Sequence, residues 1–412
     1  MNEIALRLLD RLLMDQNSGN MNQDKLWTKN FIIVSFINFL VFLIHLLLMV
    51  SIASYAIERF QAAVSTAGLV ASIFIIGALI GRFSAGRVIS DLGSKSVLGF
   101  GAIFFVVVLV LYFMAVSLPL LILVRLLHGM AHGVVSTATG TIVAQTLPQR
   151  RRGEGIGYYG LSIVMASAIG PFIGILLIQL VDFKTVFLFT ALLAAASLGI
   201  SFLVQAPAQL APQEEEGKKV HRFHLSNFFE FKSIPISVIA LIVGFSCSVI
   251  IAFISIYTRE LRLEKAAGLY FVVSAVATLV TRPIAGRLLD IRGDNFVVYP
   301  CLLIYALGMF LFSQANHGIF LVLAGALVGI GYGNFMSSAQ TIALSATIPR
   351  RFGLATATYY VFLDFGIGVG PYLLGLLVPY TGYRGLYVTM AILALATVPL
   401  YYLLHGKKAP GK

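Results

Sequence analysis

Twelve stretches of roughly twenty mostly apolar residues alternate with short polar segments along the chain. They lie at 31–53, 66–86, 97–117, 119–141, 156–180, 185–204, 235–257, 266–286, 296–313, 319–341, 354–379 and 383–404. A helix needs about 20 apolar residues to cross a bilayer core about 30 Å thick, whereas a transmembrane β-strand alternates apolar and polar residues. Runs such as Phe104–Tyr112 do not alternate. The pattern therefore predicts an all-α membrane protein whose twelve transmembrane helices lie in the lipid bilayer.

Composition agrees with this prediction, because 59% of the residues are apolar and only 11% are charged. Soluble domains carry roughly 25% charged residues. The formal net charge of +12 does not indicate nucleic acid as a partner, because the basic residues lie mainly on one side of the predicted helices. The other side has only Arg59, Lys184, Arg259, Arg262, Lys265 and Arg384. By the positive-inside rule both termini are cytoplasmic, which predicts a multi-pass protein of the cell (inner) membrane.

The sequence repeats itself at an offset of 200 residues. Arg82, Ala85, Gly86, Arg87 and Gly93 correspond to Arg282, Ala285, Gly286, Arg287 and Gly293, and further pairs include Gly129 with Gly329, Gly133 with Gly333, Tyr159 with Tyr359, and Gly170-Pro171 with Gly370-Pro371. Each half then holds six helices, and an even number gives both halves the same orientation. We expect parallel repeats related by an axis along the membrane normal, as in some transporters.

The repeat sets the predicted domain boundaries. They are a cytoplasmic N-terminal segment at 1–27, six-helix bundles at 28–204 and 235–404, a cytoplasmic linker at 205–234 and a cytoplasmic tail at 405–412. The first twenty residues have two interpretations. Their apolar stripe suits a helix on the membrane surface, or translation begins at Met21.

The loop between the second and third helices contains the segment Gly86–Lys95, GRVISDLGSK. This segment and its repeat resemble the loop signature of the major facilitator superfamily, and the chain resembles that family's twelve-helix drug:proton antiporters. The resemblance implies loops that close the cytoplasmic face, with an acid near a helix N-terminus and glycines for tight turns. The loop candidates are Gly86, Arg87, Asp91, Gly93, Gly286, Arg287, Asp290 and Gly293. The first loop departs from the signature, since Ser90 stands where Asp290 stands in the repeat; either Asp91 substitutes for the acid or the first latch is weaker.

Two further motifs support the resemblance. Arg125 lies about six residues into the fourth helix and is followed by His128-Gly129; the family has an arginine there that is associated with proton transfer. The alternative is a structural arginine bonded to backbone carbonyls. Gly170, Pro171 and Gly174, with Gly370 and Pro371 in the repeat, resemble the glycine–proline signature of exporters and predict close helix packing.

Asp364 is the strongest candidate for carrying protons. It lies about ten residues, or about 15 Å, into the eleventh helix, and we assign the other charges except that of Arg125 to loops, span ends or tails. A carboxylate at that depth can take up and release protons during transport. A structural aspartate bonded to a hydroxyl or to Arg125 is the alternative.

Softer candidates for substrate contact or proton relay are Asn38, His45, His128, His132, Asn334, Gln340 and Tyr257. In the family, helices 1, 4, 7 and 10 line the cavity. His128 and His132 share a helix face, but a metal site is not expected without cysteine or carboxylate neighbours. Packing is the alternative for these histidines and for the tyrosine. The first helix lacks the acid that many antiporters of this type carry.

These observations predict a secondary transporter that exports a small organic molecule, such as a drug, a sugar or a metallophore-like metabolite, by alternating access coupled to protons. Import by proton symport is the alternative within transport, and a membrane receptor or a membrane enzyme is an alternative of another class. No nucleotide-binding motif and no clustered catalytic constellation occur in the sequence. We expect a monomer without a cofactor that is not an enzyme.

Overall fold

The computed structural model describes residues 25–62, 64–205 and 228–409. In these ranges twelve helices are long and apolar enough to cross a membrane, and no strand occurs within them. The predicted all-α fold with twelve transmembrane helices is confirmed. The predicted surface helix within the first twenty residues and most of the predicted linker lie outside the described ranges.

The first six helices are α1 Lys29–Phe60, α2 Val64–Leu92, α3 Ser94–Leu111, α4 Leu118–Thr146, α5 Arg152–Leu180 and α6 Phe183–Ser201. The next six are α7 Ile234–Glu260, α8 Glu264–Arg292, α9 Asp294–Ser313, α10 Gly318–Ser345, α11 Phe352–Gly375 and α12 Val378–Leu404. A π-helical turn, Gly329–Gly333, interrupts α10. Because the number of helices is even, α1 begins and α12 ends on the same side, which we call the terminal face.

Each run of six helices has its own apolar core. The core of α1–α6 is built from side chains such as Val34 and Val135, and that of α7–α12 from side chains such as Ile239 and Phe335. A few residues of α10 and α11, including Leu344, join the first core. The architecture is therefore two six-helix halves that pack against each other.

Glycines at repeat-related positions bring helices into backbone contact within each half. A Cβ atom on Gly129 of α4 would lie 2.0 Å from the Phe74 carbonyl oxygen of α2, and one on Gly329 of α10 would lie 2.3 Å from the Ser274 carbonyl oxygen of α8. No side chain fits at such distances. The α2–α4 and α8–α10 contacts therefore depend on glycine, and the repeat seen in the sequence is a repeat in packing.

The glycine–proline motifs lie at the contacts of α5 with α1 and of α11 with α7. A Cβ atom on Gly174 would lie 2.7 Å from the Leu47 carbonyl oxygen, one on Gly170 would lie 3.0 Å from Leu46, and one on Gly370 would lie 2.0 Å from the Ser248 hydroxyl. Pro171 and Pro371 follow inside their helices. These positions pack helices within a half, as the small-residue rule predicts.

The two halves meet mainly where α2 contacts α11 and α5 contacts α8. Every residue is buried in the segments 135–144 of α4, 333–344 of α10 and 352–361 of α11, which lie towards the terminal face. Since these segments are enclosed on all sides, the space between the halves is closed at the terminal face.

Two helix ends differ from the prediction in a way that matters for the site. Helices α2 and α8 continue to Leu92 and Arg292, beyond the predicted ends at 86 and 286, because their polar last turns remain helical and pack at the terminal face. Arg82 and Arg282 then lie about 15 Å inside the helix ends, where only 2% and 6% of their surfaces are exposed. The assignment of these two arginines to span ends was therefore wrong.

Candidate functional site

Asp364 of α11 forms an ion pair with Arg82 of α2, across the boundary between the halves. The Arg82 Nε donates to the Asp364 Oδ2 at 2.7 Å, and the aspartate side chain is 21% exposed while that of the arginine is 3% exposed. The Arg82 NH1 also donates to the Ser136 hydroxyl at 3.1 Å, and its guanidinium carbon lies 4.4 Å from the centre of the Tyr360 ring. Sequence reasoning considered Arg125 or a hydroxyl as the partner of Asp364, and the structure gives Arg82 instead.

Arg125 is fully buried within the first half, against α2 and its own helix. Its guanidinium carbon lies 4.6 Å from the centre of the Phe74 ring, and its NH1 donates to the His128 Nδ1 at 3.2 Å. Arginine has no acceptor, so the His128 Nδ1 accepts and the ring proton lies on Nε2. Among the described residues, the Arg125 Nε and NH2 atoms and the His128 Nε2 atom have no hydrogen-bond partner.

The three predicted histidines lie together around Phe74. The His45 ring stacks on Phe74 with a centroid distance of 3.9 Å, and it lies 5.1 Å from the His132 ring. We call His45, His128, His132 and Arg125 the histidine cluster. Within the described residues no group of three or more histidine, cysteine or acidic side chains is placed to hold a metal ion. The His45 Nδ1, His128 Nε2 and His132 Nδ1 atoms have no hydrogen-bond partner among the described residues.

Arg282, the repeat counterpart of Arg82, faces α5 of the first half. Its NH2 donates to the Gly333 carbonyl oxygen of α10 at 3.0 Å, and its NH1 would lie 2.7 Å from a Cβ atom on Gly160. Its Nε and NH1 atoms have no partner among the described residues. Sequence reasoning missed both Arg82 and Arg282 as site residues, although their match at the 200-residue offset was a signal that pointed to them.

Asp290 joins the halves at the terminal face. Its Oδ1 accepts from the Gly153 amide at 2.8 Å and its Oδ2 from the Glu154 amide at 2.9 Å, so the carboxylate caps the first turn of α5. A Cβ atom on Gly286 would lie 2.4 Å from the Gly153 carbonyl oxygen, which brings α8 and α5 into backbone contact. We call Asp290, Gly286 and Gly153 the α5–α8 latch.

The corresponding place between α2 and α11 lacks the carboxylate. A Cβ atom on Gly86 would lie 2.5 Å from Ala357 of α11, so the close approach is present. Ser90 donates to the Arg87 carbonyl oxygen at 2.5 Å and contacts the Asp91 carboxylate at 3.4 Å, while Asp91 itself is exposed. The exposure of Asp91 argues against its substituting for the acid, and the weaker first latch stays a prediction.

The remaining loop candidates have simpler surroundings. Gly93 and Gly293 adopt φ angles of 83° and 82° between consecutive helices, a conformation that favours glycine. Arg87 lies 5.2 Å from the centre of the Phe228 ring, and Arg287 is exposed beside Asp290 in a surface pocket.

The predicted amide side chains lie on the helices expected from the resemblance. The Asn38 amide donates to the Ser162 hydroxyl at 2.8 Å and is fully buried inside the first half. The Asn334 amide donates to the Thr281 hydroxyl at 2.9 Å, and the Gln340 Oε1 accepts from Tyr360 at 3.5 Å. The Asn334 Oδ1 and the Gln340 Nε2 have no partner among the described residues, so each of these amides can form a further hydrogen bond.

Tyr257 has a structural environment. Its hydroxyl donates to the Ser313 carbonyl oxygen at 3.0 Å, its ring lies 5.0 Å from that of Tyr387, and only 2% of its surface is exposed. The residue joins α7 to α9 and packs against Phe312 and Tyr387. This placement agrees with the packing alternative.

Comparison with known proteins gives a consistent result. The family model described as Major Facilitator Superfamily matches residues 34–299 and 236–412. The chain is 24% identical to an uncharacterized MFS-type transporter of Methanocaldococcus jannaschii, covering 82% of this chain and 88% of that protein. It is 25% identical to the multidrug resistance protein MdtG of Yersinia enterocolitica, covering 80% of each.

Two solved structures have the same fold. The human organic anion transporter MFSD10 aligns with a TM-score of 0.73 and 15% identity, over 91% of this chain and 100% of that one. The proton:xylose symporter XylE aligns with a TM-score of 0.73 and 15% identity, over 93% of this chain and 96% of that one.

Proposed function

Because the chain belongs to the major facilitator superfamily and is a multi-pass membrane transporter, not an enzyme, we propose that it exports a small organic molecule in exchange for protons. The coupling residue in this proposal is Asp364. The observation that carries it is the Arg82–Asp364 ion pair, which joins α2 of one half to α11 of the other at 2.7 Å.

The ion pair links proton binding to movement of the halves. When Asp364 is ionised, Arg82 holds it, and the halves stay together on this side of the cavity. A proton on Asp364 cancels its charge and removes the main attraction, while Arg82 keeps its bond to Ser136 in its own half. The 21% exposure of the Asp364 side chain gives the proton a route to it, and breaking a buried pair costs about 3–5 kcal/mol, enough to change which conformation is favoured.

Export is the preferred direction because relatives such as MdtG are described as multidrug resistance proteins and because the glycine–proline motif is present on both α5 and α11. Import by symport is the second candidate, since XylE shares the fold. In both cases the histidine cluster is an additional site for proton relay. In this proposal the protein is a monomer in the cell membrane. Both termini lie in the cytoplasm, because the terminal face carries most of the basic residues.

Proton flux into liposomes tests the coupling. Purified protein is reconstituted with a trapped pH-sensitive dye, and ethidium, tetraphenylphosphonium and 2-naphthoate are added in turn under an imposed pH gradient. We expect Asp364→Asn to abolish flux coupled to whichever probe the wild type moves, and to spare exchange of that probe without a gradient, because the amide resembles the neutral acid. Asp182→Asn is the matched control, since Asp182 is exposed and caps α6 locally.

If Asp364→Asn showed the same proton-coupled flux as the wild type, Asp364 would not be the coupling residue. His45, His128 and His132 would then be the next candidates for proton coupling. The direction of probe movement relative to the proton gradient separates export from symport.

A further inference from the structure

Arg82 and Arg282 occupy equivalent positions in the two halves but have different surroundings. At the 200-residue offset Arg82 corresponds to Arg282, Tyr360 to Gly160, and Asp364 to Val164. Arg82 has both the Tyr360 ring under its guanidinium and the Asp364 carboxylate at its Nε. Arg282 has neither, because the equivalent positions on α5 hold a glycine and a valine.

Three tyrosines, Tyr332, Tyr359 and Tyr360, lie near Arg282, but none of them accepts a hydrogen bond from its Nε or NH1 atom. Its guanidinium lies directly against Gly160, and Val164 lies one helical turn farther along the same face of α5. The bond to the Gly333 carbonyl uses only NH2. A cation that is 94% buried therefore keeps two nitrogens, Nε and NH1, without an acceptor among the described residues.

The buried side chains in the interior of the helix bundle carry a net positive charge. Three arginines, Arg82, Arg125 and Arg282, are at most 6% exposed. Among the described acids, only Asp364 lies in the middle of a helix; the others lie near helix ends or in the segments between helices. Burying a charge without a partner is costly, and here an anionic ligand would remove part of that cost.

We propose that Arg282 is the anchor for the negatively charged group of the substrate, and that the substrate is an amphipathic organic anion with a planar ring and a carboxylate. The carboxylate takes the role that Asp364 has for Arg82, and the ring takes the role of Tyr360. Gly160 leaves the arginine accessible once α5 moves away from α8, while the bond to Gly333 keeps Arg282 on its own half. This inference names the substrate class of the proposed transporter and so rests on the proposed function.

Binding to the purified full chain in detergent tests the proposal without any proton gradient. Three probes share one ring system: 2-naphthoate, the neutral 2-naphthamide and the cationic 2-naphthylmethylamine. We expect 2-naphthoate to raise the melting temperature of the wild type and the other two to have a much smaller effect. Arg282→Gln is expected to weaken 2-naphthoate binding at least about tenfold, because a charge-assisted hydrogen bond is lost.

A second variant keeps the arginine and supplies its missing counter-ion. We expect Val164→Asp to weaken 2-naphthoate binding to a similar extent, and Arg282→Gln combined with Val164→Asp to bind it no more tightly than either single variant. Arg292→Gln, at the exposed last residue of the same helix, serves as the control with unchanged binding.

Equal binding of the three probes, no binding of 2-naphthoate, or an unchanged affinity in both Arg282→Gln and Val164→Asp would overturn the proposal. The result is independent of coupling: Asp364→Asn decides whether protons drive transport, whereas these variants decide which charge the site recognises.

Discussion

Replacing Asp290 by alanine should open the terminal face. The carboxylate accepts hydrogen bonds from two backbone amides of α5, at 2.8 and 2.9 Å. Hydrogen bonds to a charged group contribute about 1.5–3 kcal/mol each, and the helix N-terminus adds about 0.3–1 kcal/mol. Because Asp290 is only half-buried, solvent screening reduces the total. We expect a loss of about 3 kcal/mol from the closed conformation, which is about a hundredfold change in the ratio of closed to open protein.

Spin labels on the two sides of the α5–α8 latch measure this change. Gln149 and Arg292 are exposed residues at the terminal face, one in each half, and cysteines at these positions report the distance between the halves by pulsed electron paramagnetic resonance. The buried Cys247 and Cys301 are first replaced. We expect Asp290→Ala to add a population at longer distance and to slow transport, while the amount of folded protein in the membrane stays the same.

Asp182→Ala is the matched control for Asp290→Ala. Asp182 also caps a helix, accepting from the Thr185 amide at 3.1 Å, but within a single half. An Asp290→Ala distance distribution that matches those of the wild type and the Asp182→Ala control, together with unchanged turnover, would show that the carboxylate does not hold the closed state.

Two further predictions concern the α2–α11 contact and the topology. Gly86→Leu should slow turnover without loss of membrane insertion, because its side chain would meet Ala357, whereas Gly99→Leu should have little effect because no atom lies within 4 Å of its Cβ position; equal turnover in the two variants would argue against a close contact there. Single cysteines placed in 205–234 and after 405 should label only from the cytoplasm, and labelling from outside would reverse the orientation.

The fold was predictable because its largest signals are local. The twenty-residue apolar runs and the glycine–proline pairs each depend on a short stretch of sequence, and the 200-residue offset is visible by aligning one half of the sequence with the other. The ends of α2 and α8 were not predictable from hydropathy, because their last turns are polar and still helical up to Leu92 and Arg292. That error placed Arg82 and Arg282 at span ends and removed them from the list of intramembrane charges.

The candidate site was only partly predictable because its partners are far apart in the sequence. Asp364 was identified from its depth alone, but its pairing with Arg82 spans 282 residues and depends on how the two halves meet. His128 and His132 could be grouped by helical spacing, whereas the addition of His45 required the packing of α1 against α2 and α4. The loop resemblance predicted a carboxylate at Asp290. It did not predict that the two oxygens of this carboxylate would accept hydrogen bonds from adjacent backbone amides of α5.

The glycine contact between α2 and α4 has a mechanical consequence. Backbone contacts at Gly77, Gly81, Gly129 and Gly133 leave no flexible side chain between α2 and α4, so we expect the two helices to move together. We therefore expect a displacement of Arg82 to move α4 as well, and with α4 the side chains of His128 and His132. If Asp364 on α11 loses its charge, we expect α2 and α4 to respond as one rigid unit, because Arg82 joins the ion pair to that unit.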